Sequence, residues 1–249
     1  MTIMKRIFWM APLGLALCLA PIAVGRAMAA SRENMANADA PVAAGATSST
    51  RKSDANRNAR VARATADFDN ARSDRRETAW GRFVADALRD KTHADIAIVN
   101  AGTLENGVLE AGDVQQNDIA DLLSFSDDEV ATVEISGVQL RAALERALAS
   151  FPTASPAWLH VSGVIATFDA KAKSGARLTS LQVNGHDVQA TDSFTVAMPM
   201  GLAEGGSGYY KIWKGGGQGR NVSLLQAVVD YARARRDISP DNSSRVRPN

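Results

Sequence analysis

Three histidines, His93, His160 and His186, and one cysteine, Cys18, are the metal-binding and thiol residues of this 249-residue chain. A two-metal phosphoesterase centre needs a dense set of His, Asp and Asn ligands. Three scattered histidines, no two of them four apart on one helix, do not supply it. A single cysteine excludes an intramolecular disulfide framework and a cysteine-based zinc cluster. No Gly-x-Ser-x-Gly string occurs; Gly206-Ser207-Gly208 is the nearest and lacks the strand-turn-helix setting of a nucleophile elbow. Asp127, Asp128 and Glu129 adjoin. Consecutive carboxylates point in different directions, so they read as an exposed acidic turn rather than an acid–base pair.

Three short stretches carry binding chemistry instead. Asn100-Ala101-Gly102-Thr103 follows the apolar run Ile96–Val99, and ligands gather at the carboxyl ends of strands in open sheets. A side-chain amide beside a permissive glycine can read a polar ligand edge; the plain alternative is a turn. Phe125 stands within Leu122-Leu123-Ser124-Phe125-Ser126-Asp127. In the core it is packing; exposed, it stacks on a flat ring. Gly205-Gly206-Ser207-Gly208-Tyr209 permits positive φ and close backbone approach to a ligand, and its N–H groups can form an anion nest. The plain alternative is a tight connection, and without a following Lys it is no P-loop.

These stretches need a scaffold, and the chain's ends are set aside first. Lys5 and Arg6, an apolar stretch from Ile7 to Val24 and the small-x-small Ala27-Met28-Ala29 have the pattern of a secretory signal peptide over residues 1–29. A membrane anchor is the alternative. Cleavage leaves a chain without cysteine, which suits a bacterial periplasm, so a periplasmic or secreted location is expected, with no membrane partner after cleavage. Residues 30–76 are rich in Ala, Ser and Arg and read as a disordered linker or frayed helix. The basic run Arg51–Arg63 reads as a solvated segment. The tail 237–249 is polar. Net charge is +3 over residues 31–76 and −5 over 77–249, which excludes a uniformly basic, nucleic-acid-coating protein.

Between these ends, Trp80, Phe83, Val84, Ala87 and Leu88 recur at helical spacing, as do Leu140, Ala143, Leu144, Ala147 and Leu148. Ser136 with Gln139 forms a capping box before the second helix. A third helix, expected to be capped by Asn221, has Val222, Leu225, Val229 and Ala232 on its apolar face. Strands are expected at Ile96–Val99, Val130–Ile135, Val161–Phe168, Leu178–Val183 and Phe194–Met198, and Asn184-Gly185 is a hairpin turn. This order is not a regular βα alternation. It implies an α+β fold with a mixed sheet packed with helices.

From about Glu77 to Trp213 the chain resembles the C-terminal domain of the bacterial 5'-nucleotidase family, which includes periplasmic UDP-sugar hydrolases. The carriers are Glu77-Thr78-x-x-Gly81 with Val84-Ala85-Asp86-Ala87-Leu88-Arg89, then Ala94-Asp95-Ile96-Ala97 leading to Asn100-x-Gly102. Ala111-Gly112-Asp113-Val114, Phe125, Gly137-x-x-Leu140 with Ala143-Leu144-Glu145, and Val161-Ser162-Gly163 follow. Val183-Asn184-Gly185 and Gly205-Gly206-x-Gly208-Tyr209 complete the set.

The resemblance implies a recognition domain over 77–236 that takes a nucleotide or nucleoside ligand. It places Asn100, Gly102, Phe125, Asp127, Gly205, Gly206 and Ser207 at the substrate. It implies no cofactor or metal on this domain, which is not catalytic on its own. The di-metal site belongs to a metallophosphatase half, here separately encoded as a partner. The chain also departs from the pattern. The family's Asn-x-Gly-Gly-Ile-Arg is matched by Asn100-Ala101-Gly102-Thr103-Leu104-Glu105, with no arginine nearby in sequence; Asp127 replaces an Asn, Gly201 a second stacking Phe, and Ser207 an Asp. Arg72, Arg75 and Arg76 precede Glu77 without a clear register match. A divergent interaction protein that keeps the fold and has lost nucleotide binding is therefore the alternative.

Overall fold

The structure is a computed structural model that describes residues 58–213 and 216–249. The expected signal peptide and linker residues 30–57 lie outside the described residues. The described chain begins with β1 (Arg60–Ala64), β2 (Phe68–Asp69), α1 (Ala79–Thr92), β3 (Ile96–Asn100), β4 (Val108–Leu109), β5 (Gly112–Gln115), α2 (Gln116–Ala120), β6 (Glu129–Ser136) and α3 (Gly137–Leu148). It continues with β7 (Leu159–Ser162), β8 (Val164–Phe168), β9 (Leu178–Val183), β10 (His186–Asp187), β11 (Ser193–Pro199) and α4 (Met200–Ala203). Last come β12 (Gln218–Ser223), α5 (Leu224–Arg235), β13 (Asp237–Ile238) and β14 (Val246–Pro248).

The centre is a five-stranded mixed sheet in the order β12-β6-β11-β3-β7. Within it β11 and β3 run parallel while the other pairs are antiparallel. Both faces of β3 are buried, and its alternation divides the core. Ala97 and Val99 pack with α1 and α5, while Ile96 and Ile98 pack with α3 and the β8–β9 pair. Layers on both faces of a mixed sheet, with antiparallel pairs dominant, make the fold α+β, as expected.

The local signals explain the helices. All five residues of the predicted stripe on α1 are buried. Thr78 caps α1, accepting from the Gly81 N–H at 3.1 Å and donating to Asn70 Oδ1 at 2.7 Å. The Ser136–Gln139 capping box forms at the start of α3. Asn184 and Gly185 both take positive φ, 50° and 84°, and Val183 pairs with His186 across the turn, as the hairpin reading requires.

Four sequence expectations are corrected. Residues 58–76 are neither disordered nor a frayed helix: β1 pairs with β5 and β13, and Phe68 is fully buried. Val61, Ala62 and Ala64 enter the core while Arg60 and Arg63 stay outside, so a segment charged on one side only still builds a strand. The tail 237–249 is structured too, contributing β13 beside β1 and β14 beside β8. The third helix is capped by Ser223, whose Oγ accepts from the Gln226 N–H. Asn221 instead lies in β12 at φ 53° and donates its N–H to Glu129 Oε1 at 2.7 Å. Finally, Val161–Phe168 is two strands, because Gly163 turns at φ 78°; any Cβ there would sit 2.6 Å from the Asp95 carbonyl.

Candidate functional site

The parallel pair β3 and β11 ends at one edge of the central sheet, and the sequence continues there into a 3-10 turn, Ala101–Thr103, and into α4 with the glycine run behind it. Asn100, the last residue of β3, is buried. Its Nδ2 donates to the Pro156 carbonyl at 3.2 Å and to Ser207 Oγ at 3.1 Å, and its Oδ1 accepts from Thr103 Oγ1 at 2.8 Å. Gly102 donates its N–H to the same Pro156 carbonyl at 3.1 Å. A Cβ on Gly102 would lie 3.1 Å from Asn100 Nδ2 and 3.2 Å from Pro156 Cβ. The fold thus brings Asn100, Gly102 and Ser207 together. Both donors of the Asn100 amide are engaged inside the protein, so Asn100 positions Ser207. The Ser207 hydroxyl accepts from Asn100 and keeps its own proton to donate.

The glycine run is anchored by its last residue. Tyr209 is fully buried, stacks on Trp213 at 4.8 Å between ring centroids and donates its hydroxyl to the Ala157 carbonyl at 2.7 Å. Burial pushes its phenol pKa upward, against the smaller opposing effect of Arg146, so it is a neutral anchor. Gly205, Ser207 and Gly208 take φ of 95°, 55° and 85°. A Cβ on Gly206 would meet the Gly201 carbonyl at 2.6 Å, which is why this loop tolerates no larger residue there.

Phe125 is 63% exposed, so it does not belong to the core. Its turn is tied to the site because the Ser124 N–H donates to the Thr103 carbonyl at 2.9 Å. The Asp128 N–H closes the turn onto the Phe125 carbonyl at 3.0 Å, and Asp128 Oδ2 accepts from the Gly201 N–H at 3.1 Å. The turn and the glycine run therefore face the same edge of the sheet. Asp127 is exposed, and it is Asp128 that connects the two loops.

Sequence reading found no arginine near this edge. The fold supplies one: Arg146, from α3, donates Nη2 to the Ser207 carbonyl at 2.8 Å and lies 6.0 Å from the Tyr209 ring centroid. The only trace in the sequence is its place one residue before buried Ala147, on the flank of the apolar stripe. Glu105 is exposed and its N–H is held by the Leu122 carbonyl. Arg75 and Arg76 pair with Asp74 and Asp69.

The histidines do not form a centre. Among the described residues, no group of three or more His, Cys, Asp or Glu side chains could hold a metal ion, so the di-metal chemistry of a phosphoesterase does not fit these residues. His160 is fully buried in β7 and donates Nε2–H to the Ser73 carbonyl at 3.0 Å. Burial drives its pKa down from 6.5 to about 3. Between those values the unfolded chain binds a proton that the native chain refuses, so stability falls as pH falls, by about 1.4 kcal/mol per unit. Glu77, whose pKa burial raises, acts in the opposite sense above its ordinary range, where the native chain holds a proton that the unfolded chain has released. His160→Gln is expected to remove about 2 kcal/mol of the wild-type loss between pH 6.5 and pH 5. Urea unfolding at the two pH values checks it; equal slopes in both proteins would contradict a neutral buried imidazole.

The fold is a mixed five-stranded sheet with helices on both faces and a loop-lined edge at the ends of β3 and β11. Residues 57–214 match the family model described as "5'-nucleotidase, C-terminal domain", and the chain belongs to that family. It is 28% identical over 143 residues to the trifunctional nucleotide phosphoesterase protein YfkN of Bacillus subtilis, covering 54% of this chain and 10% of that protein. It is 26% identical over 174 residues to a 5'-nucleotidase of Vibrio cholerae, covering 69% of this chain and 29% of that protein. The crystal structure of a 5'-nucleotidase precursor from Thermus thermophilus superposes with a TM-score of 0.73 at 20% identity, over 82% of this chain and 42% of that one. At that identity the likeness is one of fold. The chain spans less than a third of the length of either curated relative.

Proposed function

We propose that the chain is an exported recognition module for a nucleotide or nucleoside, serving nucleotide catabolism together with a metallophosphatase that supplies the metal chemistry. The observation that carries this reading is the convergence of Gly102, Ser207 and the glycine run with the exposed ring of Phe125 at the carboxyl ends of β3 and β11. An exposed aromatic face takes a base by stacking, a contribution of about 1–3 kcal/mol. The Ser207 hydroxyl and the Arg146 guanidinium supply donors for a polar or anionic end. Calorimetric titration with AMP, UMP, adenosine and UDP-glucose tests it. Binding is expected, weakened about tenfold or more in Phe125→Ala. No heat with any of the four at about millimolar ligand would defeat it.

A second reading has its own observation. The Asn100 amide is satisfied within the protein, and Gly201 offers no second ring. Both favour a divergent interaction protein that keeps the fold without nucleotide affinity, and the same titration separates the two.

A further inference from the structure

Three consecutive backbone donors stand open in the glycine run. The N–H groups of Gly206, Ser207 and Gly208 have no acceptor among the described residues. Their neighbours are engaged: the Gly205 N–H donates to the Leu202 carbonyl at 2.9 Å, and the Tyr209 and Tyr210 N–H groups share the Gly205 carbonyl, each at 3.1 Å. This stretch is not a helix end. Ser207 (φ 55°, ψ 20°) and Gly208 (φ 85°, ψ 19°) are left-handed, while Gly206 keeps helical dihedrals. A right-handed residue followed by a left-handed one turns successive N–H groups toward one concave point, where an anion sits. Gly206 is exposed and Ser207 and Gly208 are half-buried, so the stretch lies at the surface.

The protein holds this conformation from two sides. Serine seldom takes positive φ. Here its Oγ accepts from Asn100 Nδ2 and its carbonyl accepts from Arg146 Nη2. Carbonyl and N–H point in opposite directions across a trans peptide, so Arg146 sets the Gly208 N–H on the face away from itself. The guanidinium packs so closely that a Cβ on Gly208 would lie 2.7 Å from Nη2. Arg146 makes no ion pair among the described residues, so the protein leaves its charge unneutralised beside the open donors. Asp128 is tied to the Gly201 N–H, and Glu204 is exposed, where solvent and salt screen it. Three open N–H groups, a hydroxyl with a proton to give and an unpaired cation specify an oxyanion. The aspartate that the family pattern carries at position 207 would set a carboxylate there and repel one.

We infer that Gly206, Ser207 and Gly208 form a backbone site for a phosphate group, which the serine at position 207 opens. The site shares the loop edge of the nucleotide reading and deepens it, but its own readout is the three amides. The test is titration of the isotopically labelled full chain with inorganic phosphate, AMP and adenosine, followed by amide NMR. Saturating shifts of the Gly206, Ser207 and Gly208 amides are expected with phosphate and AMP. Ser207→Asp is expected to weaken phosphate about tenfold or more; aspartate tolerates the left-handed region and can still accept from Asn100. Ser207→Gly, which keeps the backbone donors and the positive φ, is expected to bind within about threefold of wild type. AMP binding at least about tenfold tighter than phosphate supports the site and assigns the phosphate to a nucleotide. Equal affinities support the site for free phosphate and count against the nucleotide reading. Silent amides at about 50 mM phosphate, or Ser207→Asp binding phosphate as wild type, overturn the assignment. Adenosine binding with those amides silent toward phosphate and AMP overturns it too, and leaves the nucleoside reading standing.

Discussion

Replacing Arg245 by alanine is expected to destabilise the domain by about 3 kcal/mol, the largest effect of any single charge removal here. Arg245 grips Asp86 of α1 with two hydrogen bonds, at 2.7 and 2.9 Å, and also reaches the Val161 carbonyl and Asp241. Burial alone would lower its pKa, but the Asp86 and Asp241 carboxylates outweigh burial and raise it. Its backbone N–H and that of Val246 are held by Glu77 just before α1, while Arg82 of α1 holds the Asp241 carbonyl at 3.0 Å. Truncation would leave Asp86 unpaired and free the tail from one of its attachments to α1. The Arg245 side chain is 16% exposed and Asp86 23%, which places the cost at the lower end of the range for a broken buried pair. Urea unfolding of Arg245→Ala, Asp86→Ala and the double variant measures it. The double variant is expected to cost clearly less than the two singles added together. A single-variant loss below about 0.5 kcal/mol would show that the tail is only loosely held.

Gly81→Ala is expected to destabilise by about 2 kcal/mol or more, against the helix propensity scale, on which alanine gains about 1 kcal/mol over glycine. A Cβ at Gly81 would fall 2.1 Å from Nδ1 and 2.4 Å from Cγ of His160. The imidazole has nowhere to go: it is fully buried, and its other nitrogen is fastened to the Ser73 carbonyl. Helix α1 would have to lift off β7, disturbing the packing of Trp80, Val84 and Leu88. Adding His160→Ala to Gly81→Ala opens the space, so the double variant is expected to cost less than the sum of the singles. Thermal and urea unfolding decide it; a Gly81→Ala protein as stable as wild type would mean that α1 and β7 are not packed this tightly.

These two results reinterpret the Glu77-Thr78-x-x-Gly81 string that marks the family. Each residue is architectural: Glu77 holds the C-terminal tail, Thr78 caps α1, and Gly81 makes room for His160. The sequence showed the string but not these roles, because each partner lies outside it, at Val246, Asn70 and His160.

Local patterning was enough for α1, α3, β3, β6, the β9–β10 hairpin and β11, since helical spacing, a capping box, β-branched runs and Asn-Gly are read within one or two turns of chain. It was also enough to place Asn100 and Gly102 at the end of β3 and the glycine run in a connection after β11. It failed where pairing is long-range. Arg60–Ala64 and the tail look polar and solvated, yet they become strands because β1 finds β5 and β13, and β14 finds β8. Whether Phe125 was core or surface could not be read from its neighbours, as a lone aromatic residue fits either environment; packing left it exposed.

By itself, then, the sequence determined the family, the α+β class and the residues at the ends of β3 and β11, because these depend on local periodicity and ordered motifs. Only the tertiary structure decided that Asn100 is satisfied internally, that Arg146 stands behind Ser207, and that the C-terminal tail is fastened to Glu77. The physical reason is that hydrogen-bond satisfaction and burial are properties of residues that meet in space after the chain has folded.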